Sequence, residues 1–320
     1  MSTTFVGSQP VPGEAVPTGL KAFMQRHPVA SYLVLMYAGL LLAYLPLLLS
    51  RHAFGILPIE FPFPVVLFNL PASLLGPVLA GAIMAYVVGG KPGRQEYRKS
   101  LFRFRVAPQW YLLPLLVVPA LGVLGTAAVH GISFVEAFAG QAGGFLSGYL
   151  LNTLLLAVLI NLWEESGQMA FLTPQVQRRY GAVAASLVVA PVWALMHLPA
   201  LFVPEMGVGV GGPVSLEGIA LGMAVLTAFA LPVRFIATWL FNSARQSVVI
   251  VALFHAAMNA TQSEMGKVFA GYNPFYLIGA FAVVSVVLIA VTRGKLGYER
   301  EQAAASSPID TPHTAAIANA

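Results

Sequence analysis

Two adjacent carboxylates lie within an apolar run of this chain, and two histidines and an asparagine lie within two other apolar runs. The five residues are Glu164, Glu165, His197, His255 and Asn259. An ionisable side chain in hydrocarbon is energetically costly, so such residues are rare in membrane segments and usually line a cavity or a reaction site. Carboxylates can take a proton from water, and imidazole and amide groups can stabilise an oxyanion. The set therefore indicates chemistry inside a membrane.

The composition indicates a membrane protein. Of the 320 residues, 58% are hydrophobic and 9% are charged, and the mean hydropathy is +0.79. A soluble domain carries about 25% charged residues. The absence of cysteine excludes disulfides and thiolate nucleophiles or metal ligands. The net charge of +5 does not predict nucleic-acid binding, because the basic residues cluster beside apolar segments, where they favour anionic lipid.

Eight apolar segments are long enough to cross a bilayer, which takes about 20 residues of helix. They cover roughly residues 30–50, 64–89, 109–130, 143–166, 182–203, 217–241, 246–262 and 272–292. We therefore predict an all-α polytopic membrane protein with about eight transmembrane helices and both termini in the cytoplasm. This orientation places 14 of the 17 Lys and Arg residues in cytoplasmic segments, as the positive-inside rule requires.

The domain organisation follows from these segments. Residues 29–295 are expected to form the transmembrane domain, with a catalytic core at about 143–262. Residues 1–28 and 296–320 are rich in small and polar residues and in proline, so both are expected to be disordered cytoplasmic tails.

The predicted helix ends bring the polar residues to similar depths. Glu164, His255 and His197 lie about 15, 12 and 20 Å from the cytoplasmic ends of their helices. His255 and Asn259 are four positions apart and share a helix face. Glu164 and Glu165 point about 100° apart. We therefore expect one polar cluster, in which one glutamate reacts and the other binds a neighbouring helix.

Three motifs carry a family resemblance. The first is WEESGQMAFL at 163–172, followed by Pro174 and Gln177; the second runs from Trp193 to His197; the third is HAAMN at 255–259, after TWLFN at 238–242. In this order they resemble the CAAX-protease and bacteriocin-processing family of intramembrane endopeptidases, which includes the Ras-converting type of CAAX protease.

One position departs from the family pattern. The common first motif is Glu-Glu-x-x-x-Arg, and this chain has Met169 where the arginine is expected. That arginine would pair with the second glutamate, Glu165. Arg234 of the sixth predicted helix is expected to extend to the cytoplasmic interface, or alternatively to replace the missing cation.

The resemblance implies peptide-bond hydrolysis within or beside the membrane. Glu164 would take a proton from a water held by His197, while His255 and Asn259 would donate hydrogen bonds to the oxyanion. A divalent metal such as zinc, held by Glu164, His197 and His255, is the alternative to a metal-free site, and the residues leave both open. The implied partners are membrane lipid and a protein or peptide substrate, with the bacterial plasma membrane as the expected location.

Two other classes of function remain open from the residues. A degenerate family member would act as a membrane scaffold or immunity-type protein, which the departure at Met169 allows. A proton-coupled transporter would use Glu and His as a relay, although no internal repeat supports it. Trp193, Trp239 and Phe254 are expected to be packing residues or interfacial anchors.

Overall fold

The computed structural model describes residues 18–206 and 214–299, and within them the protein is helical, with no strand. The helices, labelled here in chain order, are α1 Gly19–Arg26, α2 Pro28–Leu49, α3 Val65–Leu101, α4 Gln109–His130, α5 Ile132–Tyr180, α6 Ala182–Phe202, α7 Leu216–Ser243, α8 Val248–Val268 and α9 Phe275–Val291. Each of the eight predicted membrane segments coincides with one of the helices α2 to α9. The predicted all-α fold class is confirmed.

Six of these helices, α2 to α7, are long and apolar enough to cross a membrane. Helix α9 is apolar but shorter, at 17 residues. Helix α8 has 21 residues but carries several polar side chains, including His255 and Asn259. Large apolar side chains such as Leu154 and Val286 are 63% and 66% exposed, as expected for surfaces that face lipid. The chain is an integral membrane protein.

The ends of the described chain are more ordered than the predicted tails. Within the predicted N-terminal tail, Gly19–Arg26 forms helix α1. At the start of the predicted C-terminal tail, Leu296 is fully buried and its carbonyl accepts a hydrogen bond of 3.0 Å from Asn242 of α7. The rest of both predicted tails, residues 1–17 and 300–320, lies outside the described residues.

Helix α8 lies in the middle of the bundle and positions its polar side chains against several neighbours. It packs against α3, α4, α5 and α7, while α6 packs against α7 and the end of α5. Most of the α8 side chains from Val248 to Val268 are buried. The polar residues His255, Thr261 and Glu264 of α8 therefore face protein rather than lipid.

The helix that carries the two glutamates is irregular on both sides of them. In α5, wide π-helical turns at Ala157–Asn161 and Gln168–Leu172 flank the regular segment Leu162–Gly167. Turns of this type are rare and occur often at functional sites, because the extra residue re-aims the side chains that follow. Helix α6 is also interrupted, since its α-helical part ends at Met196 and a tight turn follows at Pro199–Phe202. His197 lies at this end, where the sequence places Pro199.

The α2–α3 connection is tied to the segment after α6 by an ion pair. His52 Nδ1 lies 3.1 Å from Glu205 Oε1. The backbone N–H of Glu205 and the His52 ring together hold the pKa of the Glu205 carboxyl below its ordinary value. The small stabilisation from this contact is therefore present above the unfolded-state pKa and is lost as the pH falls through the folded-state pKa.

Helices α2 and α3 cross closely at two glycines. A Cβ atom on Gly39 would collide with the backbone carbonyl of Leu75, and one on Gly76 would lie 3.1 Å from the carbonyl oxygen of Met36. Small residues allow such backbone approach in membrane helices. We expect Gly39→Ala to lower the free energy of unfolding by about 1–3 kcal/mol, because the helices must separate.

Thermal unfolding in detergent measures this effect. Gly140→Ala on α5 is the control, because a Cβ there meets nothing within 4 Å. Its melting temperature should stay the same or rise slightly, since alanine favours helix. Equal melting temperatures for the two variants would contradict the close crossing.

Candidate active site

Glu165 is held rigidly by two neighbouring helices. Arg234 of α7 donates to both of its carboxylate oxygens, at 2.5 Å to Oε2 and 2.7 Å to Oε1. His255 of α8 contributes a further bond, with Nδ1 at 2.8 Å from Oε1. The side chains of Glu165 and Arg234 are each only 1% exposed. Glu165 therefore joins α5, α7 and α8.

Glu164 is buried but far less constrained. Its Oε2 atom accepts a hydrogen bond of 3.3 Å from Asn161 Nδ2, one turn earlier on α5. It lies 3.8 Å from His255 Nδ1, a distance that allows an ion pair but not a hydrogen bond. The prediction that the adjacent glutamates have different surroundings agrees with this geometry, and Glu164 has fewer bonds to the described residues than Glu165.

The hydrogen bonds of the two histidines determine which ring nitrogen carries the proton in each. His197 Nδ1 lies 3.0 Å from the backbone carbonyl of Trp193, which can only accept, so Nδ1 carries the proton. His255 Nδ1 faces the Glu165 carboxylate and donates in the same way. Each ring is thereby oriented with Nε2 unbonded to any residue that the structure describes, and in neutral His197 that nitrogen is a proton acceptor.

Trp193 brings the two histidines and the arginine together. Its ring centre lies 4.3 Å from that of His197 and 5.6 Å from that of His255. The guanidinium carbon of Arg234 lies 5.2 Å from the same ring. The expectation that Trp193 is only a packing residue is therefore incomplete, because it lies among the polar residues. Trp239 and Phe254 do pack as expected, against Trp110 and Phe281.

Asn259 lies one turn after His255 on α8 and is half-buried. The helical spacing places it on the His255 face. Among the described residues no hydrogen bond joins it to the two glutamates or the two histidines. The structure therefore brings Glu164, Glu165 and His255 into direct contact, links His197 to them through Trp193, and leaves Asn259 beside the cluster.

Arg234 does not extend to the cytoplasmic interface, so that prediction is wrong. The alternative expectation, that Arg234 replaces the missing motif cation, agrees with the structure. Its Nη1 atom also lies 4.0 Å from the sulfur of Met169, the residue at the expected arginine position. Pairing with Glu165 prevails because the guanidinium can be buried only beside an anion.

Several buried polar atoms around this cluster have no hydrogen-bond partner among the described residues. They include Asn161 Oδ1, Trp193 Nε1 and Arg234 Nε. Buried polar groups are normally satisfied by protein or by ordered water. Of the three, Asn161 Oδ1 belongs to the side chain that donates to Glu164, so an unpaired acceptor lies on the residue next to this carboxylate.

The family resemblance allows a divalent metal held by Glu164, His197 and His255. Across residues 18–206 and 214–299, no three His, Asp or Glu side chains are placed to hold one metal ion. In the predicted set, His255 Nδ1 binds Glu165 and His197 Nδ1 binds the Trp193 carbonyl, so in each ring only Nε2 would be left to hold a metal. Because the described side chains are not grouped around one metal position, the mechanism proposed below is built from the protein's own residues.

Two comparisons show which known proteins the chain is similar to. Residues 146–261 match the family model described as Type II CAAX prenyl endopeptidase Rce1-like. A relative from Methanococcus maripaludis, CAAX prenyl protease 2, is 24% identical over 205 residues, which are 62% of this chain and 72% of the relative. Residues 146–261, within the membrane core, are therefore similar to the CAAX-protease family. No solved structure matches the chain.

The helical core is also closed at its predicted cytoplasmic end by motif residues. Gln177 of the first motif and Asn242 of the lead-in to the third exchange two amide hydrogen bonds, of 3.1 and 3.2 Å. These bonds join α5 to α7 beyond the Glu165–Arg234 ion pair. Helices α5 and α7 are therefore in contact at a second point, which carries no charge.

Sequence reasoning missed Asn161 as a partner of Glu164. A signal was present, because Asn161 is a polar residue that directly follows the apolar run from Leu154 to Ile160 and lies three positions before Glu164. Polar residues in membrane helices mark functional or interhelical contacts. The sequence contains no comparable signal for the π-helical turn that ends at Asn161.

The different surroundings of the two glutamates predict different effects on stability. We expect Glu165→Gln to lower the free energy of unfolding by about 3–5 kcal/mol, because it leaves the buried Arg234 without its anion. Glu164→Gln on the adjacent position is the matched control and should cost no more than about 1 kcal/mol, because only one long hydrogen bond changes. Thermal unfolding in detergent compares them, and equal destabilisation would contradict the assignment of Glu165 as the anchor.

Proposed function

We propose that this protein is an intramembrane endopeptidase that hydrolyses a peptide bond with a water activated by Glu164. The observation that supports this most strongly is the division between two adjacent carboxylates. Glu165 is committed to Arg234 and His255, whereas Glu164 keeps one oxygen without a hydrogen bond from the described residues. In the proposed site, Glu165 is the fixed carboxylate and Glu164 is the general base that accepts a proton.

In the proposed first step, a water donates one hydrogen to Glu164 and the other to Nε2 of His197. This leaves a lone pair of the water oxygen free to attack the carbonyl carbon of the substrate. Glu164 takes a proton as the new C–O bond forms, and the carbonyl oxygen becomes an oxyanion. In the second step Glu164 gives that proton to the leaving amine as the C–N bond breaks. The products are an acid and an amine, and the site returns to its starting state.

The oxyanion is assigned to His255 and Asn259. The side-chain amide of Asn259 is a donor in any state, and His255 donates from Nε2 when both ring nitrogens carry protons. Donors fixed in position before the reaction stabilise developing charge most effectively. His255 is fixed in this way, since Glu165 holds its Nδ1.

The substrate class follows from the surroundings of the site. The site lies within the helices of a membrane protein, so a substrate must enter from the bilayer or from its surface. The name of the Methanococcus relative, CAAX prenyl protease 2, supports a prenylated CAAX-type peptide as the first substrate to test. A lipid-modified peptide would already reside in the membrane beside these helices.

Cleavage by purified protein tests this proposal. In liposomes or detergent, we expect Glu164→Gln to lower kcat by about 10²- to 10⁴-fold, because a general base contributes a factor of that size. His197→Ala should also abolish most cleavage, because the water loses its second acceptor. Glu136→Gln, on an exposed position of the same helix, is the control.

The same variants separate the other functions. If wild type and Glu164→Gln are both folded and neither cleaves any peptide, a scaffold role is favoured. Proton flux that depends on a solute, without peptide products, would instead favour a transporter.

A chelator tests the absence of a metal step. We expect cleavage to persist at an unchanged rate after dialysis against a strong chelator, because Glu164 and His197 activate the water directly. Loss of activity that returns with added zinc would contradict the proposed mechanism. Melting temperature before and after dialysis controls for unfolding.

A further inference from the structure

We infer that Arg234 is a positioning residue for the proposed hydrolysis, supplied by a helix that carries none of the five predicted site residues. It fixes Glu165 and, through Glu165, the ring of His255. This inference rests on the proposed function. It concerns a residue outside the three family motifs of this chain.

The burial of Arg234 shows how strongly it depends on Glu165. Its side chain is 1% exposed, and its one salt-bridge partner among the described residues is Glu165. Taking a guanidinium out of water is costly unless a well-placed anion and further contacts compensate. Two short bonds to the carboxylate and the Trp193 ring 5.2 Å away provide that compensation.

The geometry of the pair fixes an orientation as well as a charge. Two parallel N–H donors of a planar guanidinium define the plane of the carboxylate that they bind, which a lysine ammonium cannot do. The Glu165 Oε1 atom accepts from Arg234 at 2.7 Å and from His255 Nδ1 at 2.8 Å. The plane set by Arg234 is therefore the plane against which the His255 ring is aligned.

Met169 shows that the same cation could come from another helix. It lies four positions after Glu165 on α5, the spacing at which side chains meet on one helix face. Its sulfur is 4.0 Å from Arg234 Nη1, so position 169 lies beside the guanidinium that binds the Glu165 carboxylate. In this chain the guanidinium comes from α7 and position 169 provides an apolar contact.

Relocating the charge tests the inference. The variants are Arg234→Met, the double variant Met169→Arg/Arg234→Met, and Arg51→Met as a control at an exposed ion pair. In the peptide-cleavage assay, we expect Arg234→Met to lose about 100-fold in kcat with KM nearly unchanged, because His255 is displaced rather than removed. The double variant should regain at least about tenfold over the single variant, because the cation returns to Glu165.

The outcomes that overturn the inference are specific. The inference is overturned if Arg234→Met folds and cleaves as fast as wild type. It is also overturned if the double variant has the wild-type melting temperature but cleaves as slowly as the single variant. If Arg234→Met does not fold, Arg234→Lys takes its place. It keeps the charge without the two-point geometry and should lose at least about tenfold in kcat. An unchanged kcat in that variant would also overturn the inference.

A second measurement separates this inference from the proposed function. In protein labelled with ¹⁵N-histidine, the ring signals of His255, assigned with His255→Ala, should shift in Arg234→Met and return in the double variant. Wild type that cleaves nothing would reject the endopeptidase proposal, while these shifts would still decide the role of Arg234. An unmoved His255 signal in folded Arg234→Met would overturn it.

Discussion

The buried ion pair between Arg234 and Glu165 is the constraint on which the rest of the site depends. Charges placed among apolar helices are tolerated only where opposite charge and hydrogen bonds meet them with good geometry. Here the guanidinium comes from α7, the carboxylate from α5 and the adjoining imidazole from α8. Three helices must therefore hold one relative position, because a small displacement would leave at least one charge without its partner.

This constraint gives two chemically identical neighbours different behaviour. Successive residues on a helix point about 100° apart, so Glu165 faces α7 and α8 while Glu164 does not share their donors. The fixed carboxylate makes the strong interactions, and in the proposed mechanism the adjacent one exchanges a proton with water. One dipeptide thus contains both the anchoring carboxylate and the proposed general base, and the helix is irregular on both sides of it.

The sequence predicts the helices well, but it predicts only some of the contacts between them. Apolar length identified α2 to α9, and estimates of helix depth correctly brought Glu164, Glu165 and His255 together. The destination of Arg234 could not be decided, because it depends on the rotation of α7 about its axis, which the polar residues of that helix are too few to indicate. The position of Trp193 among the polar residues could not be predicted for the same reason, because it depends on the rotation of its own helix, α6. The order at Gly19–Arg26 and Leu296 arises from tertiary packing, which a polar, proline-containing composition does not reveal.

The wide turns on either side of the glutamates also bear on how the length of α5 can change during evolution. Each turn accommodates one residue more than regular α-helix would. Deleting one residue from Ala157–Asn161 would restore regular hydrogen bonding, yet it would rotate the preceding part of the helix by about 100° relative to the glutamates. Lipid-facing leucines such as Leu154 would then turn towards the protein interior. Insertions and deletions in this stretch are therefore more disruptive than substitutions at its lipid-facing positions.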